Sequence, residues 1–168
     1  MRGFVPWVTA ILVIVADRVT KSLIMARLEP GGWIEVMPGF ALTHIHNRGI
    51  AFSLFAGGGP LTRVVLHLVI FTSVVIIAAM VVRHGHHSRL AGLAFGLILG
   101  GAVGNLIDRV LYGSVIDFVH LWTKVGGRVW AWPDFNVADA SITIGAVLLI
   151  ANEFRVHRSE RDDASDTD

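Results

Sequence analysis

The sequence predicts an all-α membrane protein of four transmembrane helices, with a β-hairpin and a short amphipathic segment in its longest loop. Three observations lead there. Of 168 residues, 54% are hydrophobic and only 16% charged, with a mean hydropathy of +0.64, whereas soluble domains usually carry about 25% charge. Four apolar runs each approach the roughly 20 residues that cross a bilayer. The polar residues inside those runs fall at one membrane face.

The first span runs from about Val5 to Met25. Arg2 and the apolar core FVPWVTAILVIVA imitate a secretory signal, but DRVTK follows where a small-x-small cleavage site belongs, so the segment reads as a retained helix. Residues 33–46, WIEVMPGFALTHIH, are two β-rich runs around a Pro-Gly turn that suits type II. NRGIAFSLF then reads as the amphipathic segment leading back to the membrane. The second span, Val64 to Val82, is broken only by His67, Thr72 and Ser73. The third, Leu90 to about Leu111, carries Gly92, Gly96, Gly100 and Gly104, a ridge that lets another helix approach closely. The fourth runs from about Val137 to Phe154. Residues 1–156 form one membrane domain, and 157–168 an acidic tail expected to be disordered and cytoplasmic.

Loop charges favour cytoplasmic termini. Arg2, Arg83, Arg89, Arg155, Arg158 and Arg161 stand on one side, against Arg27, Arg48, Lys124 and Arg128 on the other. Trp33, Trp122, Trp130 and Trp132 all fall in the two long loops of that second side, where indole rings favour the interface.

With four alternating spans, Asp17 and Lys21 of the first, Asn105, Asp108 and Arg109 of the third, and Asp139 of the fourth share a face, and Asp117 follows the third span there. Asp117 and Asp139, in VIDFV and NVADA, carry the sharpest chemistry. Two carboxyls held close in apolar surroundings cannot both ionise easily, and a shared proton suits aspartic-protease hydrolysis. The alternative makes Asp139 a helix cap and Asp117 a loop charge. Asp17 and Lys21, four apart, fit an intrahelical ion pair. Arg109 could clamp Asp108 or Asp17, or offer its planar fork to a lipid phosphate or a substrate carbonyl.

Other chemistries find less support. A net charge of +1 lacks the basic footprint of a nucleic-acid binder. With no Cys there is no thiol nucleophile, and HExxH is absent. His44-x-His46 puts two rings on one strand face without a third ligand, so no metal and no cofactor are expected. RHGHHSR reads as a basic turn on the opposite side. Two rivals remain: a proton-coupled transporter, which normally needs more spans and internal repeats, and a metal-dependent lipid-headgroup transferase.

The motifs resemble those of the bacterial lipoprotein signal peptidases (signal peptidase II), over residues 5–154. They are Asp17-x-x-Thr20-Lys21, Thr43-x-x-x-Asn47-x-Gly49-x-Ala51-Phe52, Gly100-Gly101-x-x-Gly104-Asn105-x-x-Asp108-Arg109, Val115-x-Asp117-Phe118 and Phe135-Asn136-x-Ala138-Asp139. The resemblance implies an intramembrane aspartic endopeptidase of the cytoplasmic membrane with an extracytoplasmic, non-helical cradle. Its substrates would be diacylglyceryl-modified prolipoproteins, cut on the amino side of the lipidated cysteine. Asp117 and Asp139 would be the catalytic pair, with Asn47, Asn105, Arg109 and Asn136 orienting it and the substrate. Asp17, Lys21 and Asp108 would support the site. The expected partners are the substrate and membrane lipid, and the chain is expected to act as a monomer.

Overall fold

The computed structural model describes residues 2–49, 59–85 and 87–165. After a 3-10 turn, Arg2–Phe4, the chain forms α1 (Val5–Arg27), β1 (Trp33–Met37), β2 (Phe40–Asn47), α2 (Pro60–His84), α3 (Arg89–Tyr112), β3 (Val115–Val125), β4 (Arg128–Ala131) and α4 (Val137–Ser165). Most of the segment read as amphipathic lies outside the described residues.

Among the described residues, three helices contain stretches long and apolar enough to cross a membrane: His67–His84, Arg89–Tyr112 and Val137–Arg155. Their exposed faces are apolar, with Val64, Leu68, Phe71 and Val75 on α2 and Ile144, Val147 and Ile150 on α4. This is a multi-pass membrane protein. α1 has 23 residues, about 35 Å of helix, but Asp17, Arg18 and Lys21 interrupt its apolar run. Asp17 and Lys21 are fully buried, and Arg18 is paired.

α3 is the central helix, packed against α1, α2 and α4. Its glycine ridge explains how. A Cβ at Gly96 would stand 2.5 Å from the Pro6 carbonyl oxygen, and one at Gly100 2.7 Å from that of Ala10, so α1 lies directly on bare backbone. On the opposite flank Gly101 meets the Ala138 carbonyl, and Gly145 of α4 returns the contact at Ala94, 2.7 Å from its carbonyl oxygen. Between α1, α2 and α3, Ala10, Val81, Ala91, Phe95 and Leu99 form the apolar core.

The non-helical part is larger than the expected hairpin, and the all-α class is corrected accordingly. Four antiparallel strands run in the order β1-β2-β3-β4. β1 and β2 form the expected hairpin, with Gly39 at φ 90° as a type II turn requires. β3 and β4, read as loop, form a second hairpin through Gly126 and Gly127, at φ 58° and 77°. Two left-handed glycines between β-branched and aromatic runs are the hairpin signal that the sequence offered. β3 is pinned further when Phe135 bridges Val119, which folds the 132–136 linker back onto the sheet. α4 also continues through Ser165, into the expected disordered tail. HRSERDDAS contains neither Gly nor Pro, and extending an existing helix carries no nucleation cost.

Candidate active site

Three backbone junctions assemble the site. In the β2–β3 register Ile45 faces Asp117 and Asn47 faces Val115, so Asn47 and Asp117 are diagonal neighbours on one face. The Asn47 amide donates to Asp117 Oδ2 at 3.0 Å, while Asn47 Oδ1 accepts from the Gly49 N–H at 3.0 Å. The folded-back linker delivers Asn136 beside the other oxygen, where its amide donates to Asp117 Oδ1 at 2.7 Å. At the start of α4, Asn136 Oδ1 accepts the Asp139 N–H at 2.9 Å and Asp139 Oδ2 accepts the Asn136 N–H at 3.3 Å. That reciprocal pair is a capping box.

Asp139 Oδ1 is held at 2.7 Å by the Asn105 amide of α3. Asn105 Oδ1 accepts in turn from Lys21 Nζ at 3.1 Å and from Asn136 Nδ2 at 3.3 Å. Lys21 Nζ, fully buried, pairs with both Asp17 and Asp108, each at 2.7 Å. Asp17 Oδ1 accepts the Ala138 N–H at 3.0 Å, so a residue of α1 caps α4. Asp108 Oδ2 takes the Ile116 N–H at 3.2 Å and ties α3 to β3. These contacts make one continuous network from α1 through α3 to α4 and the sheet. The expected Asp17–Lys21 pair is present, but as part of a larger charge cluster.

Both candidate carboxylates line a cavity of about 1120 Å³, with Asn47, Asn105 and Arg109. Its walls run from sheet residues such as Trp33, His120 and Asp134 to Ile142 and Ile144 of α4. Burial first, and then the neighbouring charge of Asp139, pushes the Asp117 carboxyl up to about 7. Near neutral pH Asp117 therefore keeps a proton far more readily than a free carboxyl. The pair can supply an acid and a base at once.

Arg109 pairs with neither Asp108 nor Asp17. Its guanidinium donates to the Gly49 carbonyl at 3.0 Å and the Asn105 carbonyl at 3.2 Å, beside the cavity it lines. The Asp108 clamp is Arg18, which also reaches Tyr112. Arg18 was overlooked, although an arginine in an apolar helix beside Asp17 signals a buried partner. Also overlooked was a cluster of Thr43, His120 and Asp134. The Thr43 hydroxyl donates to Asp134 Oδ2 at 2.6 Å, and His120 Nδ1 meets Asp134 Oδ1 at 2.5 Å. The His44 and His46 rings lie 5.0 Å apart, tilted by 34°, but His44 bonds the Leu28 carbonyl and His46 the Ser114 hydroxyl.

Fold and site together define a class: a membrane protein whose helices and sheet fix two carboxylates, by amide donors, on one cavity. The family model described as signal peptidase (SPase) II matches residues 9–155. The chain belongs to that family of peptidases. It is 43% identical to a lipoprotein signal peptidase of Burkholderia thailandensis, covering 93% of this chain and 92% of that one. With the lipoprotein signal peptidase of Paraburkholderia phymatum the identity is 41% over the same shares. Two solved bacterial membrane enzymes share the fold. One, solved by the in meso method at 2.3 Å, has a TM-score of 0.76 at 29% identity and covers 89% of this chain and 87% of its own. The other, at 1.9 Å, has a TM-score of 0.72 at 30% identity and covers 88% and 90%.

Proposed function

We propose that the chain is an aspartic endopeptidase that removes signal peptides from diacylglyceryl-modified prolipoproteins, cutting on the amino side of the lipidated cysteine. The observation that carries this reading is the buried pair Asp117 and Asp139 on one cavity, Asp117 accepting the side-chain amides of Asn47 and Asn136 and Asp139 that of Asn105. Membership of the signal peptidase II family and the names of its relatives supply the substrate class.

In this mechanism Asp117 enters protonated and donates to the scissile carbonyl oxygen. Asp139, as the carboxylate, takes a proton from water, and the hydroxide-like oxygen attacks the carbonyl carbon. The tetrahedral diol collapses as a proton passes to the cysteine nitrogen. The C–N bond breaks and leaves a carboxylic acid on the signal peptide and a free amine on the lipidated cysteine. Asn47 and Asn136 hold Asp117, and Asn105 holds Asp139, so little reorganisation accompanies the proton transfers. Arg109, fixed by the Gly49 carbonyl, orients the bound chain. Asp17, Lys21, Asp108 and Arg18 brace the three helices and the sheet around the pair.

We further read α1 as a fourth membrane span, its three charges being withdrawn into the protein. Residues 1–156 act as one domain with both termini cytoplasmic and the sheet outside, where the aromatic loops meet the interface. The test is incubation of the purified protein with a lipidated prolipoprotein, followed by mass measurement of both products. A released peptide ending just before the modified cysteine is the expected result. Cleavage elsewhere, or cleavage lost on adding a chelator, would overturn the assignment.

A further inference from the structure

The Thr43–Asp134–His120 cluster has no part in the mechanism above, yet all three residues line the same cavity as the two aspartates. It is not a nucleophile triad. Asp134 stands in the middle, accepting from Thr43 on one oxygen and meeting His120 on the other, so the imidazole is not hydrogen-bonded to the Thr43 hydroxyl as a nucleophile–His–acid order requires. Nor is it a buried structural pair, since His120 and Asp134 keep 18% and 17% of their side chains exposed. His120 packs in a triangle of rings with Trp33, at 4.7 Å, and Trp122, at 5.6 Å, the two indoles themselves lying 5.3 Å apart, and this packing restrains the ring beside the carboxylate.

Position gives the cluster its meaning. Thr43 is two residues from Ile45, the register partner of Asp117. The β2–β3 register shifts between Leu42 and Ile45, so the cluster stands within about 7 Å of the catalytic level along the strand, the most that two residues can span. The far wall of the cavity, at Ile142 and Ile144, belongs to the apolar part of α4. An apolar signal segment and a lipid chain suit that wall, which leaves the sheet wall to the residues after the cut. If cleavage falls before the lipidated cysteine, the residue following that cysteine is the one two positions on.

Resting on the proposed function, we infer that Asp134, aimed by His120 and Thr43, is a specificity residue for the side chain immediately after the lipidated cysteine. It favours a basic or neutral side chain there and disfavours an acidic one. The other charges on the cavity belong elsewhere. Asp117 and Asp139 are the catalytic pair, and Arg109 is tied to Gly49. Arg48 follows the end of β2, five residues beyond Thr43.

The test uses three synthetic diacylglyceryl lipopeptides identical except for Lys, Gln or Asp after the modified cysteine. The readout is the ratio of kcat/KM for the Lys and Asp peptides within each protein, which a general loss of folded enzyme cannot move. The parent should prefer Lys by about fivefold, the upper range for a partly exposed ion pair. Asp134→Asn keeps an acceptor for Thr43 and should bring the ratio close to one. His120→Gln loosens the carboxylate that the imidazole aims and should lower the ratio below the parent's, and a ratio left at the parent's value removes His120 from the inference. Equal kcat/KM for all three peptides in the parent, or a ratio unmoved by Asp134→Asn, overturns this inference and leaves the proposed function standing. Failure of the parent to cut any of the three overturns the proposed function itself.

Discussion

Replacing Asp117 with Asn should stop cleavage and, above neutral pH, make the protein more stable. A carboxyl raised from 3.8 to about 7 binds its proton more tightly in the fold than in the unfolded chain. Its ionisation therefore penalises the fold progressively between those values and by a constant amount above them. At 1.36 kcal/mol for each unit, the penalty is about 4 kcal/mol at pH 8.5 and about 2 kcal/mol at pH 5. Asn removes that penalty but brings an N–H₂ against the amide donors of Asn47 or Asn136, which costs about 1 to 3 kcal/mol. The variant should thus be stabilised by roughly 1 to 3 kcal/mol at pH 8.5 and be close to the parent, or below it, at pH 5. Unfolding of parent and variant in one detergent, followed by tryptophan fluorescence at both pH values, measures the difference. Titrating groups other than Asp139, whose charge is coupled to that of Asp117, cancel in that comparison. If the two proteins show the same pH dependence, Asp117 is not the buried, proton-holding carboxyl and the catalytic assignment loses its basis.

Four further outcomes are expected. Asp139→Asn should lower cleavage of a lipidated prolipoprotein by at least about 10²-fold, and the double Asn variant should be hardly slower than either single one; a variant keeping a tenth of parental activity refutes the pair. Parental activity should fall as pH rises through about 7, when Asp117 loses its proton, and an activity still climbing at pH 8.5 contradicts its role as the acid. Lys21→Met strands the buried carboxylate of Asp17 and leaves Asp108 with Arg18 as its remaining cation, and should cost about 3 to 5 kcal/mol of stability in thermal or denaturant unfolding; an unchanged midpoint shows the cluster to be dispensable. For topology, the cysteine-free chain allows single Cys labelling at two exposed sites: Val129→Cys should react with an impermeant thiol reagent in intact cells and His87→Cys should not, and the reverse pattern inverts the orientation.

Much of this was readable beforehand because the membrane constrains the sequence so strongly. Helix positions follow from apolar length, and α1, α3 and α4 begin within a residue of where hydropathy sets them. The shared polar face was legible for a related reason: a buried charge needs a partner, so Asp17, Lys21, Asp108 and Asp139 had to converge. Their pairing was less legible. Sequence spacing suggests partners within a helix, as for Asp17 and Lys21, but Arg18 crosses 90 residues to Asp108. The extent of the sheet was missed because VIDFVHLWTKV was assigned to a loop by its place between spans, against its own β-rich composition. Asp134 lies outside the five motifs, and the folding-back of Phe135 onto Val119 brings it to the cavity.

The carboxylate at the threshold of α4 brings these strands together. The sequence presents a choice for Asp139 between helix cap and reacting group. The geometry accommodates both roles in one side chain, because the two oxygens are separately engaged: Oδ2 accepts the Asn136 N–H within the capping box, and Oδ1 accepts the Asn105 amide across the helix interface. Capping fixes the carboxylate against the start of a rigid helix, at the depth where the apolar span begins. Asn136 has the same double duty, since its Oδ1 caps α4 while its amide holds Asp117. A change at either residue should therefore disturb helix entry and chemistry together. Asn136→Ala is the sharper probe. It removes an N-cap, at a cost of about 0.5 to 2 kcal/mol, together with the donor to Asp117. Asn136→Asp restores the cap but sets a third acid against the pair. If positioning of Asp117 matters beyond stability, both variants should be inactive while only the alanine loses the cap's contribution to folding. If Asn136→Asp cleaves at the parental rate, the amide is not needed to hold Asp117, and Asn136 acts as a cap alone.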